Sequence, residues 1–169
     1  MRKLLPVCML AILTFVSCVK NNQASCNYTT TTIIAPDAEQ QAMQDSLSAH
    51  NITASMNPEG FFYTINSQGS AQSISNLCTT VSVEYKAGFF NGKIFDSTAT
   101  GTVANFQLGA VIPGWQKGVP LVGKGGSITL YIPPSLGYGA NNIINTNTGD
   151  TIIPANSYLV FNIQLVDFQ

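Results

Sequence analysis

From residue 81 the chain alternates. Val81, Val83 and Tyr85 are separated by Ser82 and Glu84, the period-2 pattern of a strand with one buried face. Asn91-Gly92 interrupts it, and both residues tolerate positive φ, so a turn is predicted there. A second strand follows, ending in the pair Phe95-Asp96, and Asn105-Phe106-Gln107-Leu108 reads as a third. Val111-Ile112-Pro113-Gly114-Trp115 is a short apolar element with a proline suited to a first helical turn. Ser127–Ile132 alternates and is stopped by Pro133-Pro134. Leu159, Phe161, Ile163 and Leu165 share one face of a long closing strand over residues 157–168. Residues 141–150 are rich in Asn, Thr and Gly and predict a flexible loop.

Before that region, residues 57–60 predict a turn and Phe61–Ile65 a strand. A helix is predicted from Pro36, with Asp37 and Glu39 at the positive end of its dipole and Ala38, Ala42, Met43, Ser46 and Leu47 on one face. It is expected to end near His50-Asn51, asparagine accepting the left-handed cap. The sum is an α+β domain: an antiparallel sheet of about five to six strands wrapped around a short central helix, preceded by an N-terminal helix.

The chain's start has another character. Arg2 and Lys3 precede an apolar run from Leu4 to Val16, the make-up of a signal peptide and too short for a spanning helix of about 20 residues. The expected divisions are a signal peptide over 1–17, a tether over 18–35, the helix and a lead-in strand over 36–78, and the main domain over 79–169. Ser17-Cys18 resembles the lipobox of bacterial lipoproteins, with Phe15 where leucine is commoner. That resemblance implies a lipidated Cys18 as mature N-terminus; the alternative is an ordinary signal peptide with an incidental cysteine. Cys26 and Cys78 then remain, either as a disulfide of an exported protein or as two thiols.

Charge narrows the chemistry. Without Arg2 and Lys3, five basic residues face eight acidic ones, a formal charge of −3, and no basic run exists. A nucleic-acid partner would need clustered cations, so none is expected. Gly118–Lys124 matches a phosphate-loop spacing, but Gly125 stands where Ser or Thr must bind magnesium, and the motif is rejected. His50, the only histidine, has no ligand-type neighbour at metal spacing and reads as a helix-end residue. No Ser-His or Cys-His pairing, metal cluster or two-acid arrangement is available. What remains is an apolar, aromatic-lined cleft with hydroxyls and one acid. It suits recognition of an apolar residue, or a reaction without proton transfer or covalent intermediate. Rotation about the peptide bond before proline is such a reaction, slow because amide resonance sets a barrier of about 18–20 kcal/mol.

Residues from about 79 to 168 carry, in order, V-S-V-E-Y-K-A-G, G-K-I-F-D-S-T, F-Q-L-G, V-I-P-G-W-Q-K-G-V, I-P-P-S-L-G-Y-G-A and I-I-P-A-N-S-Y-L-V-F-N-I-Q-L. Together they resemble an FK506-binding-protein-type (FKBP-type) peptidyl-prolyl cis-trans isomerase, and the leader, tether and helix ahead of them resemble exported members of the Bacteroidetes type. The resemblance implies Trp115 as the floor for a proline ring, with Tyr85, Phe95, Val111, Ile112 and Phe161 as walls. Asp96 would be an acid at the buried edge, held by a hydrogen bond from a neighbour such as Tyr85. Tyr138 would donate its hydroxyl to a substrate carbonyl, and Ile153, flanked by Ile152, would contact the ligand chain. Tyr85, Asp96 and Tyr138 are thus the implied catalytic group. Alone, Trp115, Phe95 and Phe161 would read as core aromatics, Asp96 as a turn cap and Tyr138 as a loop residue.

Three positions depart from the family pattern. Ala104 stands where an aromatic is frequent, the 142–151 loop is longer than in compact members, and Ala155 replaces a common proline. The implied function is an exported, lipid-anchored isomerase without metal, nucleotide or other cofactor. Its partners would be proline-containing unfolded or nascent exported proteins, with an FK506-type macrolide as possible ligand and the membrane reached through the lipid. The expected location is the outer membrane, on its periplasmic face, with the cell surface as the alternative. The alternative is a non-catalytic chaperone or peptide-binding module on the same fold, and a weaker one is a structural lipoprotein with a vestigial pocket.

Overall fold

The computed structural model describes residues 26–169. The signal peptide, Cys18 and the first part of the expected tether lie outside the described residues. The elements are α1 (Asp37–Ala49), β1 (Ser55–Met56), β2 (Phe62–Ser67), β3 (Thr80–Gly88), β4 (Ile94–Ser97), β5 (Ala104–Gln107), α2 (Pro113–Gly118), β6 (Ser127–Ile132), β7 (Ile143–Ile144), β8 (Thr151–Ile153) and β9 (Leu159–Phe168). One antiparallel sheet runs β1-β2-β6-β9-β3-β4, with β5 also paired to β3, and β7 and β8 form a separate hairpin. The six strands predicted from the sequence are all present. The three additional ones are two or three residues long, too short to display a period.

The residues 141–150 are not the structureless loop expected. Ile143 pairs with Ile153 and Ile144 with Thr151, and the tip closes on itself through Asn145 N–H to Asp150 O and Gly149 N–H to Asn145 O. Polar composition predicted the tip and concealed the ladder.

The two faces of β6 explain the layering. Ile128, Leu130 and Ile132 enter the main core with Val81, Val83, Phe161, Ile163 and Leu165, while Tyr131 packs on the opposite side with Phe62 and the α1 residues Met43 and Leu47. α2 lies against the first face. A Cβ at Gly114 would fall 2.6 Å from Ile132, and one at Gly118 2.6 Å from Leu130, so this glycine pair sets how deeply α2, and Trp115 on it, can press into the sheet. In α1 the inward face is that of Met43 and Leu47, with Glu39 and Gln40 half-buried; Ala38, expected on this face, is exposed. α1 stops at His50, and Asn51 takes a φ of 55°.

The expected boundary at residue 78 does not divide the structure, because β2 pairs with β6 from Phe62↔Tyr131 to Ser67↔Ser127. Nor is the segment expected as a free tether loose from residue 26 onward. Cys26 is disulfide-bonded to Cys78 with Cα atoms 5.6 Å apart, the Tyr28 hydroxyl donates to Gln107 Oε1 over 3.0 Å, and buried Ala35 donates its N–H to Glu59 O. Among the described residues no helix is long and apolar enough to cross a membrane.

Candidate active site

The inward faces of β3, β4, β5 and β9 meet α2 around a cleft of about 270 Å³. Tyr85, Phe95, Asp96, Val111, Ile112, Trp115, Tyr138 and Phe161 line it, together with Phe106 and Ala110. Alternation puts Tyr85 from β3 and Phe161 from β9 on the same side of the sheet, since Ala87 pairs with Phe161 and Tyr85 with Ile163. Glu84, Lys86, Asn162 and Gln164 face the other way and line a separate surface hollow.

Trp115 is the centre of the arrangement. It is almost fully buried, and three rings meet it edge-on: Tyr85 at 5.5 Å and 84°, Phe106 at 5.8 Å and 86°, and Phe161 at 5.5 Å and 87°. Such T-shaped pairs place a positive ring edge over a negative face and add about 0.5–1.5 kcal/mol each beyond area burial. Phe95 continues the wall, edge-on to Phe161 at 6.1 Å and backed by Phe89 at 5.1 Å. Trp115 Nε1 has no hydrogen-bond partner among the described residues. The wall at residues 109–111 is tied to α2 by Gln116, whose Nε2 donates to Val111 O at 2.8 Å and Gly109 O at 3.3 Å.

The polar groups stand at the mouth. The Tyr85 hydroxyl donates to Asp96 Oδ2 over 2.5 Å. Two residues on, Thr98 N–H donates to Tyr85 O and the Tyr85 N–H to Thr98 Oγ1, which fixes the end of β4 beside Tyr85. Burial, the hydrogen bond to Asp96 and the charge of Asp96 push the Tyr85 phenol far above its ordinary pKa. Burial and then the Asp96 charge raise that of Tyr138. Asp96 itself is an exposed residue, not the buried-edge acid implied by resemblance. It stands at the mouth of the cleft, where the longer tyrosine side chain reaches it. Tyr138 is 36% exposed on a turn between Gly137 and Gly139.

Eight of the ten residues assigned to the site from sequence are therefore brought together. Ile152 and Ile153 are not among the lining residues: Ile153 is buried in the same core cluster as Trp115 and Phe161, where it pairs with Ile143, and Ile152 packs against that cluster. Phe106 was missed as a lining residue, although its place in F-Q-L-G, two positions from Ala104 on an alternating strand, carried the signal. His50 does not line the cleft; it stands at the end of α1, with Nδ1 2.8 Å from Ser46 O and its ring against Phe90.

A family model described as FKBP-type peptidyl-prolyl cis-trans isomerase matches residues 72–166. A curated relative, the FKBP-type peptidyl-prolyl cis-trans isomerase FkpA of Buchnera aphidicola, is 40% identical over 111 residues, covering 65% of this chain and 41% of its own. The crystal structure of FkpA from Escherichia coli is similar with a TM-score of 0.64 at 32% identity, over 79% of this chain and 60% of that one. A peptidyl-prolyl cis-trans isomerase structure from Pseudomonas syringae also gives a TM-score of 0.64, at 26% identity over 80% and 97% of the two chains. The chain spans about two fifths of the length of the curated relatives it matches.

Proposed function

The chain belongs to the FKBP-type peptidyl-prolyl cis-trans isomerase family, and from that premise we propose that it catalyses rotation about the peptide bond preceding proline in unfolded or nascent exported proteins. The observation that carries this reading is the Trp115 floor boxed by the edges of Tyr85, Phe106 and Phe161, an apolar seat with room for a five-membered ring. A planar amide is stabilised by charge separation that water solvates well. Moving it into such a cleft costs the planar ground state more than the twisted transition state, which has lost its resonance.

The polar rim supports the same chemistry. Tyr138 stays protonated well above neutral pH and can donate to a substrate carbonyl, while Asp96, held by Tyr85, presents a carboxylate towards the twisting amide. No bond is made or broken and no proton is transferred, in keeping with a cleft that holds no nucleophile–base pair. An FK506-type macrolide is proposed as a ligand of the same seat.

The reading extends to place and anchoring. The Cys26–Cys78 disulfide supports an oxidising compartment outside the cytoplasm, and the leader ending at Cys18 supports lipid attachment to the outer membrane, on its periplasmic face.

The deciding experiment is a prolyl isomerisation assay on the whole chain, with Asp96→Ala and Tyr138→Phe beside it and FK506 added in parallel. Acceleration that the drug abolishes and both variants reduce is expected. A folded wild-type protein that leaves the rate unchanged would replace the enzyme reading with that of a peptide-binding module.

A further inference from the structure

Tyr138 sits in a turn whose hydrogen bonds converge on one peptide unit. The carbonyl of Pro134 accepts from two amides, Gly137 N–H at 2.9 Å and Gly139 N–H at 2.8 Å, the glycines on either side of Tyr138. The N–H of that same peptide unit belongs to Ser135, and it donates to Glu39 Oε2 over 3.0 Å. Glu39 is not part of the turn. It lies in the first turn of α1, 96 positions away in sequence and outside the 72–166 stretch matched by the family model.

α1 can hold Glu39 there because the helix is itself fixed. Met43 and Leu47, one and two turns on, are buried against Phe62 and Tyr131, and Gln40 Nε2 donates to Ala35 O over 2.7 Å. Pro134 and Leu136 are buried, so the turn rests on the core from the other side. A carboxylate accepting from Ser135 N–H polarises the peptide unit and makes the Pro134 carbonyl a stronger acceptor for the two amides flanking Tyr138. The chain of contacts runs from carboxylate to peptide to both neighbours of the tyrosine, with no flexible side chain between.

We propose that Glu39 is a positioning residue for Tyr138, through which the N-terminal helix sets the orientation of the tyrosine at the mouth of the cleft. The role rests on the isomerase reading only in its catalytic consequence; the positioning itself is a property of the fold. In α1 the residue does not touch the cleft, and its distance from Tyr138 in sequence hides it from any motif reading.

The test compares Glu39→Ala with Glu39→Gln in the whole chain, since glutamine retains an acceptor oxygen for Ser135 N–H. Two readouts are taken: the amide resonances of Gly137 and Gly139, and kcat/KM for a prolyl tetrapeptide. In Glu39→Ala both resonances are expected to shift and kcat/KM to fall about 3- to 10-fold, with Glu39→Gln restoring most of each. In a Tyr138→Phe background the same change at Glu39 is expected to cost less than twofold, because the two residues act as one unit. Unchanged Gly137 and Gly139 resonances in a folded Glu39→Ala protein would overturn the proposal, as would a loss of activity that simply adds to that of Tyr138→Phe. A wild-type chain with no isomerase activity would sink the functional reading instead, and the resonances would still decide the positioning.

Discussion

Tyr85 and Asp96 meet as a diagonal pair across two strands: the hydroxyl donates over 2.5 Å to Oδ2, while the residue directly opposite Asp96 is Ala87. Diagonal neighbours on one face of an antiparallel pair are about 7–8 Å apart at Cα, within reach of a long aromatic side chain. The small Ala87 leaves the path open. Tyr85→Phe is therefore expected to keep the ring packing against Trp115 and lose only the bond to the carboxylate. Catalytic efficiency in the prolyl assay should fall about 3- to 10-fold, the order of one ordinary hydrogen bond, since the bond is exposed to solvent. Combining it with Asp96→Asn should cost little more than either alone; strict additivity would show that the two act separately.

Alkaline pH provides an independent check. The phenols of Tyr85 and Tyr138 have folded-state pKa values above their ordinary one, through burial first and Asp96 second. A proton held more tightly in the folded state contributes stability that is complete below the unfolded pKa of about 10 and is lost as pH rises past it. The urea midpoint should decline above about pH 10, and less steeply in Tyr85→Phe. A midpoint that rises over that range would contradict the sign.

Trp115 is the only tryptophan, so its fluorescence reports on the cleft alone. A proline peptide or macrolide seated on the indole should change the emission in step with binding. Binding measured by calorimetry with no spectral change would put the ligand elsewhere. Trp115→Ala should destabilise the fold by about 3–5 kcal/mol in urea unfolding, the range for a large buried ring.

Gly109 and Tyr28 test how the N-terminal segment braces the cleft wall. A Cβ at Gly109 would overlap the Tyr28 ring, and the Tyr28 hydroxyl is bonded to Gln107, next to wall residues Phe106 and Ala110. Gly109→Ala is expected to cost about 1–3 kcal/mol by overpacking. In a Tyr28→Ala background the same substitution should cost less than half as much. An equal cost in both backgrounds would mean that the segment does not bear on the wall.

The amino-acid sequence by itself determined the six principal strands, both helices and eight of the site residues. The long strands β3, β6 and β9 have room to show a period of two, and their buried faces make the register expensive to change. Trp115, Asp96 and Tyr138 were legible because the motifs around them stand in a specific order, each made of neighbours in sequence. Only the tertiary structure decided what depends on distant pairs. The β7–β8 hairpin paired Ile143 with Ile153, the disulfide and Tyr28 fastened a segment that composition alone makes look free, and α1 brought Glu39 to Ser135. Such contacts join positions tens of residues apart. No local pattern records them, because the energy that selects them comes from packing and hydrogen bonding that exist only once the chain has closed on itself.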